Sequence, residues 1–186
     1  MDRETVHILG ICGSLRRRSF NSLLLDHAAT VMPPGAELVR FDLAAIPLYN
    51  QDIEVAGLPE AVVDFKAAID AADGLFIASP EYNHGMSGVL KNALDWQSRP
   101  RGDASITGKP IAFVTVSNGP TGGVRAQGEL KRVLASNFAL LFPFPEFALP
   151  LASQKFTGGG ELTDEFALAQ LPKMVGEFVD FVRRHR

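Results

Sequence analysis

Leu9-Gly10-Ile11-Cys12-Gly13-Ser14-Leu15-Arg16-Arg17-Arg18-Ser19-Phe20-Asn21 is an apolar run that breaks at Gly-Ser, crosses a short basic, hydroxyl-rich turn and enters a helix. Just upstream, Val6-His7-Ile8-Leu9-Gly10-Ile11 reads as a buried strand of a parallel sheet. Downstream, from Phe20 to Val31, apolar residues at Leu23, Leu24, Ala28 and Val31 recur at helical spacing. A strand that turns sharply into a helix aims unpaired backbone N–H groups, and the positive end of the helix dipole, into the turn. Here the turn adds the hydroxyls of Ser14, Ser19 and Ser22, the amide of Asn21 and the guanidinium of Arg16. Those donors suit a phosphate group. The plainer alternative is a capped helix start, with Ser19 as N-cap and the three arginines in water. It explains Ser19 but not the gathering of further donors.

The same change of period repeats along the chain. Strand-like runs lie at 6–11, 37–42, 74–79, 111–116 and about 139–144; helical stretches lie at about 20–32, 59–72, 88–97, 123–137 and 163–184. Such alternation predicts an α/β architecture, a doubly wound five-stranded parallel sheet with helices on both faces. Pro33-Pro34-Gly35 ends the first helix, Pro59 suits the first turn of the second, and Thr163-Asp164-Glu165 supplies capping residues to the last. The connection 43–58, with Pro47, Tyr49 and Gly57, reads as a loop, as does Gly158-Gly159-Gly160. There are no repeats, low-complexity tracts or linkers, and residues 1–186 read as one domain.

The composition narrows the function classes. At 46% hydrophobic and 21% charged residues the chain reads as soluble and globular. A formal charge of -3 argues against a general nucleic-acid binder, and the arginine groups at 16–18 and 183–186 are too short to define a basic face. The lone cysteine, Cys12, permits no internal disulfide or cysteine-built metal site and reads as a buried filler beside a strand end. His7, His27, His84 and His185 show no ligand spacing with carboxylates, so no metal is expected. The start of the chain lacks the pattern of a secretory signal and no apolar run approaches membrane-spanning length, which predicts a cytoplasmic protein.

In an open parallel sheet the ligand lies beyond the carboxyl ends of the strands, where the strand order reverses. Three loops follow the first, third and fourth strands. The first, GSLRRRSFN, is neither a G-x-G-x-x-G fingerprint nor a P-loop. The second, Ser79-Pro80-Glu81-Tyr82-Asn83-His84-Gly85-Met86-Ser87-Gly88, is held extended by Pro80 and loosened by its glycines. Its backbone can meet a flat ligand edge, and Tyr82 and His84 add ring surfaces. The third, Val116-Ser117-Asn118-Gly119-Pro120-Thr121-Gly122-Gly123, is short on bulky side chains and lets a planar group lie against backbone.

With these loops quoted, SLRRRSFN together with SPEYNHGMSGVLKNALDW resembles the NADPH-dependent FMN reductase family, the flavodoxin-like group that includes quinone, azo-dye and chromate reductases. The resemblance runs over nearly the whole chain. It implies that Ser14, Arg16, Ser19, Asn21 and Ser22 hold the FMN phosphate. It also implies that Pro80, Glu81, Tyr82 and Asn83 lie along the flavin ring, mostly through backbone, and that Ser117 and Gly119 pack near it. Many relatives carry G-A-S-P-G-G-x-G-G where this chain has VSNGPTGGVRAQ, so no contact is carried over to Asn118, Thr121 or Gly122. Pairing into homodimers or homotetramers is implied as well. Leu90, Leu94 and Trp96 are candidates either for such an interface or for the core.

The expected activity is transfer of a hydride from NADPH or NADH to bound FMN, and of electrons on to a small-molecule acceptor such as a quinone, azo compound, chromate or free flavin. The flavin carries that chemistry, so no catalytic side chain is assigned. His84, Arg99 and Arg101 are candidates for contact with the nicotinamide nucleotide or an anionic acceptor. Two other classes compete: an electron carrier that holds FMN but accepts no hydride, and a flavin-free interaction module on the same fold.

Overall fold

A computed structural model describes residues 5–186. Its central sheet is built from β1 (Val6–Cys12), β2 (Ala36–Phe41), β3 (Gly74–Ser79) and β6 (Pro110–Val116), completed by two short pieces, β7 (Leu140–Leu141) and β8 (Ala148–Leu149). A two-stranded antiparallel hairpin, β4 (Glu81–Tyr82) and β5 (Gly85–Met86), follows β3. The helices are α1 (Phe20–Thr30), α2 (Gln51–Ala56), α3 (Glu60–Ala71), α4 (Gly88–Gln97), α5 (Val124–Ser136) and α6 (Glu165–His185). Sheet order is β2-β1-β3-β6-β7, with β8 also on β6, and every pairing within the sheet is parallel. From β1 the chain steps to one side for β2 and to the other for β3, so the order reverses between β1 and β3.

The central strands are apolar on both faces because both faces are covered. Within β1, Ile8 and Cys12 point into one core while Leu9 and Ile11 point into the other. β3 divides likewise, with Phe76 and Ala78 on the first face and Leu75 and Ile77 on the second. The first core is closed by α1 and α6 through Leu24, Leu25, Leu171 and Phe178; the second by α3, α4 and α5 through Phe65, Ile69, Leu90, Leu94 and Leu130. At the sheet edge, β2 alternates half-buried and exposed positions and carries Glu37 and Arg40, charges that discourage pairing with another chain.

Two sequence expectations are corrected, and a third, left open, is resolved. The fifth strand, expected at about 139–144, is split: Leu140 and Leu141 pair with Pro110 and Ile111, and pairing resumes only where Ala148 and Leu149 meet Thr115 and Val116. Between them lies Phe142-Pro143-Phe144-Pro145-Glu146-Phe147, whose prolines have no N–H to give to a ladder. The stretch 43–58 holds a 3-10 turn at Leu43–Ala45, capped by the Asp42 carboxylate on the Ala44 N–H at 2.9 Å, and then α2. Six residues are too few to show a helical period, so α2 leaves little trace in the sequence. Of the two roles open to Leu90, Leu94 and Trp96, the structure gives them the core, each no more than 2% exposed.

Candidate functional site

β1 ends beneath a turn that is tied to its neighbour by the Gly13 N–H donating to the Ala78 carbonyl at 2.8 Å. A Cβ on Gly13 would stand 3.0 Å from Ser87 Oγ and 3.2 Å from Ser79 Oγ, so only glycine lets the turn lie this low between β1 and β3. Ser14 Oγ accepts the Arg16 N–H, and the Arg16 carbonyl accepts the Ser19 N–H at 3.0 Å. Ser19 is the N-cap of α1: its Oγ accepts the Ser22 N–H at 3.0 Å. Leu15, Arg17, Phe20 and Asn21 offer backbone N–H groups that have no hydrogen-bond partner among the described residues.

The three arginines of the turn part company. Arg16 sits over the Phe20 ring, 5.3 Å from its centroid, and Phe20 stacks in turn on Phe156. Arg17 lines a neighbouring cleft. Arg18 donates to the Gly158 carbonyl at 2.8 Å, fastening the turn to the glycine-rich loop.

The sequence places Asn21 at a phosphate, yet the residue is 3% exposed and its amide is bonded to the backbone: Nδ2 donates to the Val116 carbonyl at 3.0 Å and Oδ1 accepts the Val116 N–H at 3.1 Å. It locks the first turn of α1 to the end of β6; its backbone N–H and the second Nδ2 hydrogen have no partner among the described residues. Ser22 faces the neighbouring cleft rather than the main one.

After β3 the P-E-Y-N segment forms the β4–β5 hairpin. Asn83 and His84 take φ of 51° and 67°, the pair of left-handed residues that a two-residue type I′ turn requires. Two carboxylates hold the hairpin against α5. Glu81 accepts the N–H groups of Arg125 at 3.0 Å and Ala126 at 3.3 Å, capping a helix whose N-cap, Gly123, has no side chain to do so. Glu129 accepts the Met86 N–H at 2.6 Å, and a Cβ on Gly85 would meet its carboxylate at the same distance. The Glu81 carboxylate thus serves the fold and leaves its backbone to the cleft. Tyr82 stands more than half exposed at the cleft rim.

Beyond β6, Ser117 donates its N–H to the Leu149 carbonyl at 3.1 Å, and its Oγ accepts the Gly119 N–H at 3.1 Å. Asn118 accepts the Ser153 N–H at 2.8 Å, a contact that fixes the third loop to the turn at 152–154. The three loops enclose one cleft of about 500 Å³, lined from the first by Ser14, Arg16, Ser19, Phe20 and Asn21, from the second by Pro80, Glu81 and Tyr82, and from the third by Val116, Ser117 and Asn118. Gly119 lies just outside this lining, and Asn83 and His84 open onto a separate concavity with Arg125 and Arg132.

Arg99 is committed elsewhere. Its Nε donates to Glu54 at 3.0 Å and its Nη2 to the Tyr49 hydroxyl at 2.6 Å, while Tyr49 donates to Glu54 at 2.8 Å. The Tyr49 hydroxyl first, and then Arg99, hold the Glu54 carboxyl below its usual range; bonding to Tyr49 and Glu54 holds Arg99 above its own. This trio pins α2 to the segment after α4 and makes no contact with the main cleft. Arg101 is exposed on the 98–108 loop, also outside that lining. Lys66, which no motif marks, is a buried ammonium that donates to the carbonyls of Gln97, Arg99 and Asp103 at 2.6–3.1 Å and anchors the same segment. Among the described residues no group of three or more His, Cys, Asp or Glu is placed to hold a metal, and no helix is long and apolar enough to cross a membrane.

Comparison with known proteins supplies the family. The family model for NADPH-dependent FMN reductase matches residues 6–154, which take in all three loops. The chain is 40% identical to an NAD(P)H-dependent FMN reductase of Pseudomonas aeruginosa, over 98% of both chains. It is 38% identical to a 2-hydroxy-1,4-benzoquinone reductase of a Burkholderia species, over 95% of this chain and 96% of the other. Among solved structures, the Paracoccus denitrificans flavoenzyme FerB, an NAD(P)H:(acceptor) oxidoreductase, superposes with a TM-score of 0.88 at 31% identity, covering 97% of this chain and 99% of that one. By sequence, by fold and by the loops that shape its cleft, the chain belongs to the NADPH-dependent FMN reductase family.

Proposed function

We propose that the main cleft holds FMN and that the chain is an NAD(P)H-dependent oxidoreductase whose acceptors are quinones. The observation that carries this reading is the convergence of three loops, at the carboxyl ends of β1, β3 and β6, on one cleft of about 500 Å³ with an anion-seeking end and an aromatic rim. The unpartnered N–H groups of Phe20 and Asn21 and the Arg16 guanidinium fit a phosphate monoester, aided by the dipole of α1. The Ser14 and Ser19 hydroxyls stand beside them. Pro80, Glu81 and Tyr82 offer backbone and a ring face to a flat heterocycle, and Ser117 closes the opposite side. When bound, FMN supplies the redox chemistry, accepting a hydride from a nicotinamide and yielding electrons to an acceptor.

The residues have other duties. Arg16 and the turn hold the phosphate; Glu81 and Glu129 keep the hairpin rigid, so that Tyr82 and the ring-facing backbone are in place before a ligand arrives. Quinones are favoured over azo compounds, chromate or free flavin because full-length relatives bear quinone reductase names. The same reading carries a cytoplasmic location, supported by the lone, unpaired Cys12, and assembly into a homodimer or homotetramer. Anaerobic addition of NADPH to the flavin-loaded protein tests it. Bleaching of the yellow band, reversed by a benzoquinone, is expected. A band that persists with NADPH and NADH alike would reduce the chain to an electron carrier, and a protein that takes up no flavin would make it an interaction module.

A further inference from the structure

On the far side of the 14–19 turn lies a second cleft, of about 270 Å³, and it shares Ser14 and Arg16 with the main one. Its other polar walls come from Arg17 and Ser22, beside the turn, and from Arg40 and Asp42, at the carboxyl end of β2. Arg16, Arg17 and Arg40 all line this small volume, Arg16 from the wall it shares with the main cleft. Asp26 pairs with Arg40 at 2.5 Å, and Asp42 accepts the Ala44 N–H at 2.9 Å through Oδ1 alone. Arg17 is exposed and, like the Ser22 hydroxyl, has no hydrogen-bond partner among the described residues.

The placement of these groups defines a ligand class. In the dinucleotide-binding version of the doubly wound sheet, a nucleotide whose phosphate lies on the turn after the first strand reaches toward the end of the second strand, and this chain has the same strand placement without that version's glycine fingerprint. At that strand end an acidic side chain meets the ribose hydroxyls, and a basic one meets any further phosphate. Asp42 and Arg40 occupy that position here, next to the half-buried ring of Phe41. An FMN phosphate held on the shared wall of Ser14 and Arg16 would have this cleft on its other side. We propose that the second cleft takes the adenosine-phosphate half of FAD, with Arg17, Arg40 and Ser22 on the second phosphate and Asp42 at the ribose, so that the chain accepts FAD as well as FMN. The proposal rests on the reading of the main cleft as the flavin site.

The test uses the full chain stripped of flavin and titrated with FMN and with FAD, following the quenching of flavin fluorescence. FAD is expected to bind within about tenfold of FMN, because the added half gains charge-assisted contacts. The double variant Arg17→Ala/Arg40→Ala should weaken FAD by at least about tenfold and leave FMN within about twofold. Its unchanged FMN affinity also shows that the variant is folded. Three results overturn the proposal: FMN binding without FAD binding, an equal loss for both flavins in the double variant, or AMP binding to the FMN-loaded protein as tightly as FAD binds the stripped one. The last would make the cleft a separate adenylate site. Failure of FMN itself to bind is a different result, which removes the reading of the main cleft and this proposal with it.

Discussion

Arg16 and Asn21 stand on the same turn and do opposite jobs. Arg16 is exposed, makes one ring contact and is aimed into the cleft, so its removal should cost ligand rather than fold. Arg16→Ala should leave the urea midpoint nearly unchanged and lower the flavin retained on purification, since it deletes a charge-assisted contact to the phosphate. Asn21→Ala should do the reverse. It strands the Val116 N–H and carbonyl, both buried, and should cost about 1–3 kcal/mol of stability in the same urea titration. A stable Asn21→Ala protein that had lost its flavin would show that the amide serves the phosphate after all. The sequence could not separate these roles, because Asn beside Ser at a helix start suits a ligand and a buried fastener equally. What decides is a partner 95 residues away, Val116. The same distance problem hid Lys66, whose three carbonyl partners lie more than 30 residues further on.

Among the elements, those with long apolar periods were legible and those held by side-chain bonds were not. β1, β3 and β6 announce themselves as continuous apolar runs, α4 by its spacing, and α1 and α6 by their spacing and by caps at Ser19 and Asp164. The β4–β5 hairpin was read only as a loop: its turn residues are Asn83-His84, without the Asn-Gly signature, and Glu81 and Glu129 supply the missing order from α5. Helix α2 depends likewise on the Tyr49–Glu54–Arg99 trio, and that dependence has a pH signature. The folded protein holds Glu54 below its ordinary value of 4.5, so the trio's contribution is complete above that value and is lost as the pH falls through the lower, folded one. Asp164 titrates in the same sense: burial opposes its charge, but bonds from Lys155 and the Ala167 N–H outweigh that and lower its value. Wild type and Glu54→Gln must therefore be compared as a difference. The gap between their denaturation midpoints should be constant from pH 7 to 5.5 and narrow below pH 4.5. A gap that stayed constant through the acid range would place the stabilisation of α2 elsewhere.

At the scale of the whole molecule, the sheet separates what holds the fold from what forms the site. Side chains of β1, β3 and β6 fill two cores, one on each face, while the loops at their carboxyl ends meet over the edge and enclose the cleft. This division was implicit in the alternating periods of the chain, because a parallel order with right-handed crossovers leaves few places for the loops to converge. It implies that core stability and flavin affinity are nearly independent quantities. Phe178 is 1% exposed and packs against Phe76 and Phe142 in the core under α6; it does not line the cleft. Phe178→Ala should cost about 3–5 kcal/mol by opening a cavity. Binding to the folded state alone adds about 2.7 kcal/mol when free FMN is a hundredfold above its Kd. That increment should be the same in wild type and in Phe178→Ala, because distant sites add. In Arg16→Ala the same FMN concentration is a smaller multiple of a weakened Kd, so the increment should shrink although the unliganded stability does not. Urea titrations of the three proteins, each with and without FMN, measure these stabilities and increments. An increment lost in Phe178→Ala but kept in Arg16→Ala would show that the core shapes the flavin site and the turn does not.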